Sequence, residues 1–175
     1  MRILASIALA SLLAAPLAAQ KQKPEPLTED QQDKIAEAGV DPVARVVLYI
    51  RFIDERSERI KALVPRAKSQ ARAERLDDEL QNFAALVDEL GDNLDVFSQR
   101  KADIRRSLKA LNEGVARWQD TLHGVTSEPI FELSLKDALA SVSDLSDQAK
   151  EISADQAAYF KAHPDEKGQD RYEPK

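Results

Sequence analysis

The chain has 175 residues, about the length of one domain, and its 31 Asp and Glu outnumber its 25 Lys and Arg, giving a formal net charge of −6. It contains no Cys, which excludes a disulfide, a thiolate metal site and a catalytic thiol, and its two His leave little base chemistry. The negative charge argues against general affinity for nucleic acid or anionic lipid, so we expect no nucleic-acid partner.

The segment 1–19 differs in composition from the rest of the chain. Arg2 gives it a positive start, residues 3–13 are almost entirely apolar, and small residues follow Pro16. This pattern predicts a secretory signal peptide that is cleaved after Ala19. An uncleaved membrane anchor is the alternative, but Pro16 interrupts an apolar run that is short for a bilayer span. We therefore expect a periplasmic or secreted protein with no membrane insertion after signal cleavage.

The fold is expected to begin after a proline-containing spacer. Residues 20–27 combine charge with proline and have no apolar period, which predicts a flexible linker. Thr28 followed by Gln31 is a capping-box pair, which predicts a short helix over residues 28–38. Gly39 supplies the residue type that commonly ends a helix.

A second helix is predicted over residues 42–63. Asp41 is a good N-cap residue and Pro42 suits the first helical position, whereas Pro65 cannot continue the helix. Residues 46–53 are apolar on nearly every side of that helix, so neighbours must cover several of its faces. A buried strand is the alternative for this run, but no second strand-like segment exists to pair with it.

The strongest pattern is a stripe of apolar residues that alternates steps of four and three, interrupted only by the polar Lys101. It consists of Leu76, Leu80, Phe83, Val87, Leu90, Leu94, Phe97, Lys101, Ile104, Leu108, Leu111, Val115, Trp118 and Leu122. We call it the first seam and predict one long central helix over residues 71–123. Residues 129–162 carry a second seam of the same kind and predict the last helix, and the charged residues 164–175 predict a disordered tail.

A break at Gly91 is the alternative to one long helix. A glycine inside a helix costs about 1 kcal/mol relative to alanine. The first seam keeps its spacing across this glycine, through Val87, Leu90 and Leu94, whereas a loop would usually shift it. A continuous helix is therefore the favoured interpretation.

These elements predict an all-α fold, with antiparallel helical hairpins or a three-helix bundle built on one long central helix, and residues 28–163 as a single helical domain. The long helix would span roughly 80 Å, and the layout would be only two helices thick over part of its length. Either the long helix bends, or the first seam binds a partner protein or a second copy of the chain.

The candidate site residues each have a structural interpretation. Lys101 is expected to extend past small neighbours to reach solvent, and the basic cluster is expected to be a solvated, partly ion-paired face. Trp118 is expected in the core, and His123 and His163 at helix C-termini. The basic cluster comprises Arg100, Lys101, Arg105, Arg106 and Lys109.

The acidic groups lack the pattern of a calcium loop, so no metal site is predicted. They are Asp77-Asp78-Glu79, Asp88-Glu89 and the pair Asp92 and Asp95. No phosphate-binding glycine loop, nucleophile elbow or zinc-protease helix is present in the sequence, so we predict no catalytic residue and no cofactor.

One short resemblance concerns the start of the first helix. Residues 27–31, Leu-Thr-Glu-Asp-Gln, resemble the Leu-Thr-x-x-Gln motif of small exported helical chaperones of the Spy/CpxP type. The resemblance covers five residues, no second copy of the motif occurs, and no binding residue is carried over from it.

Together these observations predict an exported non-catalytic helical protein that acts as an envelope scaffold or protein-interaction module. The alternative is a chaperone-like binder of unfolded exported proteins, which its helical, charged and Cys-free composition would suit.

Overall fold

The computed structural model describes residues 26–166, which form five α-helices, one short 3-10 helix and no strand. The helices are α1 Glu29–Glu37, α2 Pro42–Leu63, α3 Gln70–Gln99, α4 Arg105–His123, α5 Glu132–Ala162 and the 3-10 helix Pro164–Glu166. The predicted all-α class is confirmed. The predicted signal peptide, residues 20–25 of the predicted linker and residues 167–175 of the predicted tail lie outside the described residues.

The local signals at the first two helices are confirmed. Thr28 and Gln31 form the expected capping box, with each side chain bonded to the other residue's backbone N–H. Asp41 accepts hydrogen bonds from two backbone N–H groups at the start of α2. The apolar residues 46–53 are helical, and α2 packs against α1, α3 and α4, which provides the several neighbours that such a run needs.

The four long helices form a closed bundle. α2 and α5 each pack against both α3 and α4, so α2 lies diagonally across the bundle from α5. α2 and α3 run antiparallel, because Tyr49 bonds Glu89 at 2.7 Å while Arg56, further along α2, bonds Glu79, earlier on α3, at 3.0 Å. Consecutive long helices alternate in direction, as the short connections require.

α3 and α5 are adjacent and parallel. The Ser134 hydroxyl on α5 donates to Asp77 near the start of α3, and the Gln148 amide donates to Asp95 near its end, at 2.6 Å. The two contacts have sequence separations of 57 and 53 residues, so positions advance along both helices in the same direction, which shows that the helices are parallel. The connection between α3 and α4 therefore runs across the diagonal of the bundle.

Both seams are buried inside this bundle. Across the diagonal, the rings of Phe83 on α3 and Trp118 on α4 meet edge to face with centroids 6.3 Å apart. Every apolar member of the first seam is buried, and so are Leu135, Ala138, Val142, Leu145, Ala149 and Ile152 of the second. The surface that the sequence leaves for a partner helix is thus covered by the chain's own helices.

The predicted helix over residues 71–123 is wrong, because the chain turns between α3 and α4. Lys101 adopts the left-handed conformation with φ 58°. Its N–H donates to the Ser98 carbonyl at 3.0 Å, and the Ala102 N–H donates to the Phe97 carbonyl at 2.9 Å. These two bonds are a Schellman motif, which usually places glycine where Lys101 stands. Lys101 therefore lies in a turn and not on a helical seam.

A glutamine from α5 satisfies the backbone of this turn. Gln156, 5% exposed, donates from Nε2 to the Ala102 carbonyl at 2.7 Å. The Ile104 N–H donates to Oε1 of the same side chain at 3.1 Å. Ala102 and Ile104 are themselves buried, so water cannot replace these bonds without opening the bundle.

An arginine ties the other end of the bundle together. Arg72, near the start of α3, donates to the Leu63 carbonyl at 3.0 Å and the Val64 carbonyl at 3.1 Å at the C-terminus of α2. It also pairs with Glu128, in the connection between α4 and α5, at 2.8 Å. A buried cation at a helix C-terminus is favoured by the helix dipole. Arg72 therefore joins the ends of three elements.

Three predicted boundaries differ in detail. The last helix begins at Glu132 and not at residue 129, because residues preceding it form a turn in which the Phe131 N–H donates to the Glu128 carbonyl. Pro164–Glu166 of the predicted disordered tail form a 3-10 helix, whose last residue accepts a 2.5 Å hydrogen bond from Tyr159. At the end of the predicted linker, the Pro26 carbonyl accepts a hydrogen bond from Arg56.

The Gln156 contacts predict a large loss of stability for Gln156→Ala. The variant leaves a buried carbonyl and a buried N–H without partners, and we expect the free energy of unfolding to fall by about 2–4 kcal/mol in urea denaturation. Gln148→Ala is the matched control. Its amide also bonds a backbone carbonyl, that of Gly91, but Gln148 is half-buried and water can replace it, so we expect a loss below about 1 kcal/mol. Equal losses in the two variants would contradict the assigned role of Gln156.

We expect substitution by alanine to have opposite effects on the unfolding temperature at Gly114 and Gly91, which both lie inside helices. Helix propensity favours Gly→Ala by about 1 kcal/mol. At Gly114, an added Cβ would lie 2.9 Å from Cζ2 of the buried Trp118 ring, so we expect Gly114→Ala to lower the unfolding temperature. At Gly91, the added Cβ would meet only the end of the Gln148 side chain, at 3.2 Å, so we expect Gly91→Ala to leave the temperature unchanged or raise it. A higher unfolding temperature for Gly114→Ala would contradict this account of the core.

Candidate functional site

The basic cluster lies around the turn between α3 and α4. Lys101 places its ammonium 5.4 Å from the Tyr159 ring centroid, and the Arg105 guanidinium lies 4.5 Å from that of Phe160. Arg105 also pairs with Asp103 at 2.7 Å, and this hydrogen-bonded carboxylate raises the pKa of the arginine. The two contacts with aromatic rings hold the turn against the end of α5. The Arg105–Asp103 pair is the ion pairing expected for part of the cluster.

The acidic groups are distributed over different contacts. Asp77 accepts from Ser134, Glu79 pairs with Arg56 at 3.0 Å, and Glu89 accepts from Tyr49. Within residues 26–166, no three His, Asp or Glu side chains come together in a way that could hold a metal ion. Asp77, Glu79 and Glu89 therefore connect α3 to its neighbouring helices.

A second group of aspartates lines a groove of about 410 Å³ between α3 and α5. Asp88, Asp92, Asp95 and Asp144 face this groove, and no cationic residue is among those that line it. Asp95 accepts from Gln148 at 2.6 Å. The groove gives the α3–α5 face a strongly negative character.

The remaining sequence candidates occupy the expected positions. Trp118 is 0% exposed and belongs to the core. His123 is exposed in the last turn of α4, and His163 directly follows α5, where Nδ1 lies 3.0 Å from the Tyr159 carbonyl oxygen. The His163 ring also stacks on the Tyr159 ring, with centroids 4.4 Å apart.

A groove of about 640 Å³ lies between the parallel helices α2 and α4. Sequence reasoning missed it, because residues far apart in the chain form it only after the turn at Lys101 brings α4 back beside α2. We call it the α2–α4 groove. Its lining consists of Asp54, Ser57, Glu58, Lys61, Val64, Pro65, Arg117, Asp120, Thr121 and Gly124.

Polar contacts fix the base of the α2–α4 groove. The indole N–H of Trp118 donates to Asp54 at 2.7 Å, and Arg117 holds the same carboxylate at 2.9 Å. The Ser57 hydroxyl donates to the Thr121 hydroxyl at 3.1 Å, and Thr121 in turn donates to the Arg117 carbonyl at 3.0 Å. The base is therefore pre-organised, with backbone and side chains of both helices held in register.

The lining combines both charge signs with apolar atoms. Lys61 lies 3.4 Å from Glu58, and both side chains are largely exposed at the rim. Val64 and Pro65 add an apolar end to the groove. The volume of the groove falls within the range of about 300–1,000 Å³ that is common for small-ligand sites, but its lining is more polar than the lining of most such sites.

A buried tyrosine forms a separate polar contact between α2 and α3. Tyr49 is 1% exposed and donates to Glu89 at 2.7 Å, while Asn93 donates to the Tyr49 oxygen at 3.4 Å. Burial and the neighbouring Glu89 carboxylate raise the pKa of the Tyr49 phenol. The phenol therefore stays protonated and serves as a structural hydrogen-bond donor.

No helix within residues 26–166 combines the length and the apolar character needed to cross a membrane. Comparison with known proteins finds no match to a family model, to a curated protein or to a solved structure.

The Asp54 contacts predict different effects for two substitutions. Asp54→Ala leaves the N–H of a fully buried indole without an acceptor, so we expect the free energy of unfolding to fall by about 1–3 kcal/mol. Asp54→Asn keeps an acceptor oxygen and should retain most of that stability. Trp118 is the only Trp, so its fluorescence follows the unfolding of both variants directly. The same loss from both variants would mean that the charge of Asp54, and not its bond to the indole, is what stabilises the fold.

Proposed function

We propose that the chain is an exported, non-catalytic helical-bundle protein that acts as an envelope scaffold or protein-interaction module, with the α2–α4 groove as its contact surface. The observation that carries this proposal is the groove itself. It has a volume of about 640 Å³, a base fixed by the Asp54, Trp118 and Arg117 contacts, and a lining of both charge signs.

The burial of both seams directs the proposal to this surface. A partner helix cannot reach the first seam while the bundle is closed, because its apolar side chains already contact the other helices of the chain. A partner protein or a second copy must therefore use an exposed surface. The α2–α4 groove offers more volume than the acidic groove, and its partial apolar lining favours protein contacts.

The chemistry of the groove supports a role in binding. Asp54 is engaged by Trp118 and Arg117, and Glu58 lies beside Lys61, so these carboxylates already have partners. The lining contains neither His nor Cys. The two hydroxyl groups of the lining are also engaged, because Ser57 donates to Thr121 and Thr121 donates to the Arg117 carbonyl.

Site-specific photo-cross-linking in the protein's own cell envelope tests the proposal. The photoreactive residue is placed in the groove, at Lys61 or Asp120, and, as a matched control, on the exposed face of α5 at Lys150. One reproducible product from the groove positions alone, whether a single partner or a second copy, is the expected result.

Two outcomes would contradict the proposed function. A broad population of unfolded exported proteins from the groove positions would favour the chaperone-like function in its place. No product from either groove position, with a folded protein confirmed by circular dichroism, would exclude the groove as the contact surface.

A further inference from the structure

The short helix α1 is attached to the bundle through one neighbour. It packs against α2 and against no other helix of residues 26–166. Its nine residues bury only Gln31 and Ile35. A helix of this length is unstable alone in water, so the surface of α2 maintains it.

The contacts that hold α1 are few and specific. The Gln31 amide donates to Glu55 of α2 at 3.0 Å, and Ile35, 7% exposed, joins the hydrophobic core. Just before α1, the Pro26 carbonyl accepts from Arg56 of α2 at 3.0 Å. The surface of α2 on which α1 docks therefore receives one apolar side chain, Ile35, and one amide, Gln31, which lies about one helical turn earlier.

α1 carries its own end caps. Its N-terminal N–H groups are capped within the segment by Thr28 and Gln31, and the Gly39 N–H donates to the Ala36 carbonyl at 3.0 Å at its other end. Gly39 has φ +57°, a conformation that other residues adopt at a cost. α1 therefore brings its own end caps to whichever α2 surface it docks on, with Gly39 as the hinge.

We propose that α1 exchanges between two copies of the chain, each α1 docking on α2 of the other copy. Every docking contact of α1 can form equally with the second copy, because the surface on its α2 is identical. Only the tight turn at Gly39 must open, and domain exchange is a common route to dimers when a short hinge segment can extend. This inference rests on the proposed interaction function and names a second copy as one partner.

Opening the turn should favour the exchanged dimer. In Gly39→Pro, the proline ring fixes φ near −65°, which is incompatible with the φ of +57° that Gly39 adopts in the turn. The substitution also removes the N–H that donates to the Ala36 carbonyl. In analytical ultracentrifugation of residues 20–175, we expect this variant to lower the dimer dissociation constant by about tenfold or more relative to the unmodified sequence. Gly91→Ala, which lies in α3 away from α1, is the control and should leave the constant unchanged.

Cross-linking then identifies which α2 each α1 contacts. The chain has no Cys, so Lys34→Cys and Arg51→Cys introduce two unique thiols, each about one turn from the Gln31–Glu55 bond toward Gly39. A short bismaleimide applied to the isolated dimer should give covalent dimers on a denaturing gel, and applied to the monomer it should give only internal links.

The other outcomes separate this inference from the proposed function. Only internal links in a dimer that persists would overturn the exchange and leave self-association standing. A monomer at every concentration, with Gly39→Pro included, would overturn the exchange, and the groove cross-linking would still decide whether a different protein is the partner.

Discussion

Between α3 and α4 the chain reverses direction through a buried turn, and one glutamine side chain from α5 satisfies the backbone of that turn. Gln156 both donates to the Ala102 carbonyl and accepts from the Ile104 N–H. A buried peptide group without a partner is costly, so this pair of bonds is what makes a turn at this position compatible with a closed core. Because the turn crosses the diagonal of the bundle, it also determines which helices become neighbours.

The closure of the bundle changes what the protein can offer a partner. An open arrangement around one long helix would expose its seam, and assembly with another chain would follow from the need to bury it. In the closed bundle the seam is already covered, and the exposed features are grooves between helices and the lightly held α1. The proposed interactions therefore depend on surfaces that combine charge and apolar atoms.

Polar side chains at the helix contacts give these surfaces a defined shape. Asp54 connects Trp118 in the core to Arg117 at the surface, so the base of the α2–α4 groove is bonded to the largest fully buried side chain of residues 26–166. Arg72 connects elements in a similar way at the end of the bundle, where it caps the C-terminus of α2 and pairs with Glu128. Such bonds restrict how the helices can slide against one another, which apolar packing alone does less strictly.

The sequence determined the features that depend on residues close together in the chain. Thr28 with Gln31, Asp41 with Pro42, and Gly39 each act on their own helix end, so the first two helices could be placed from local chemistry. The spacing of the seams also determined the helical class and most of the core, since every apolar residue of the first seam is buried.

Only the tertiary structure decided where α3 ends. Residues 92–104 contain neither Gly nor Pro, and Ile104 follows Phe97 by one heptad, so the stripe keeps its phase although the helix does not continue. The polar Lys101 is the residue of the stripe that indicates the break, and it adopts the left-handed conformation in the turn. The stabilising partner, Gln156, lies 54 residues from Ala102 in the chain, so no local pattern could reveal it. The α2–α4 groove follows from the same turn, because distant residues become neighbours only after the backbone of the turn finds its hydrogen bonds on α5.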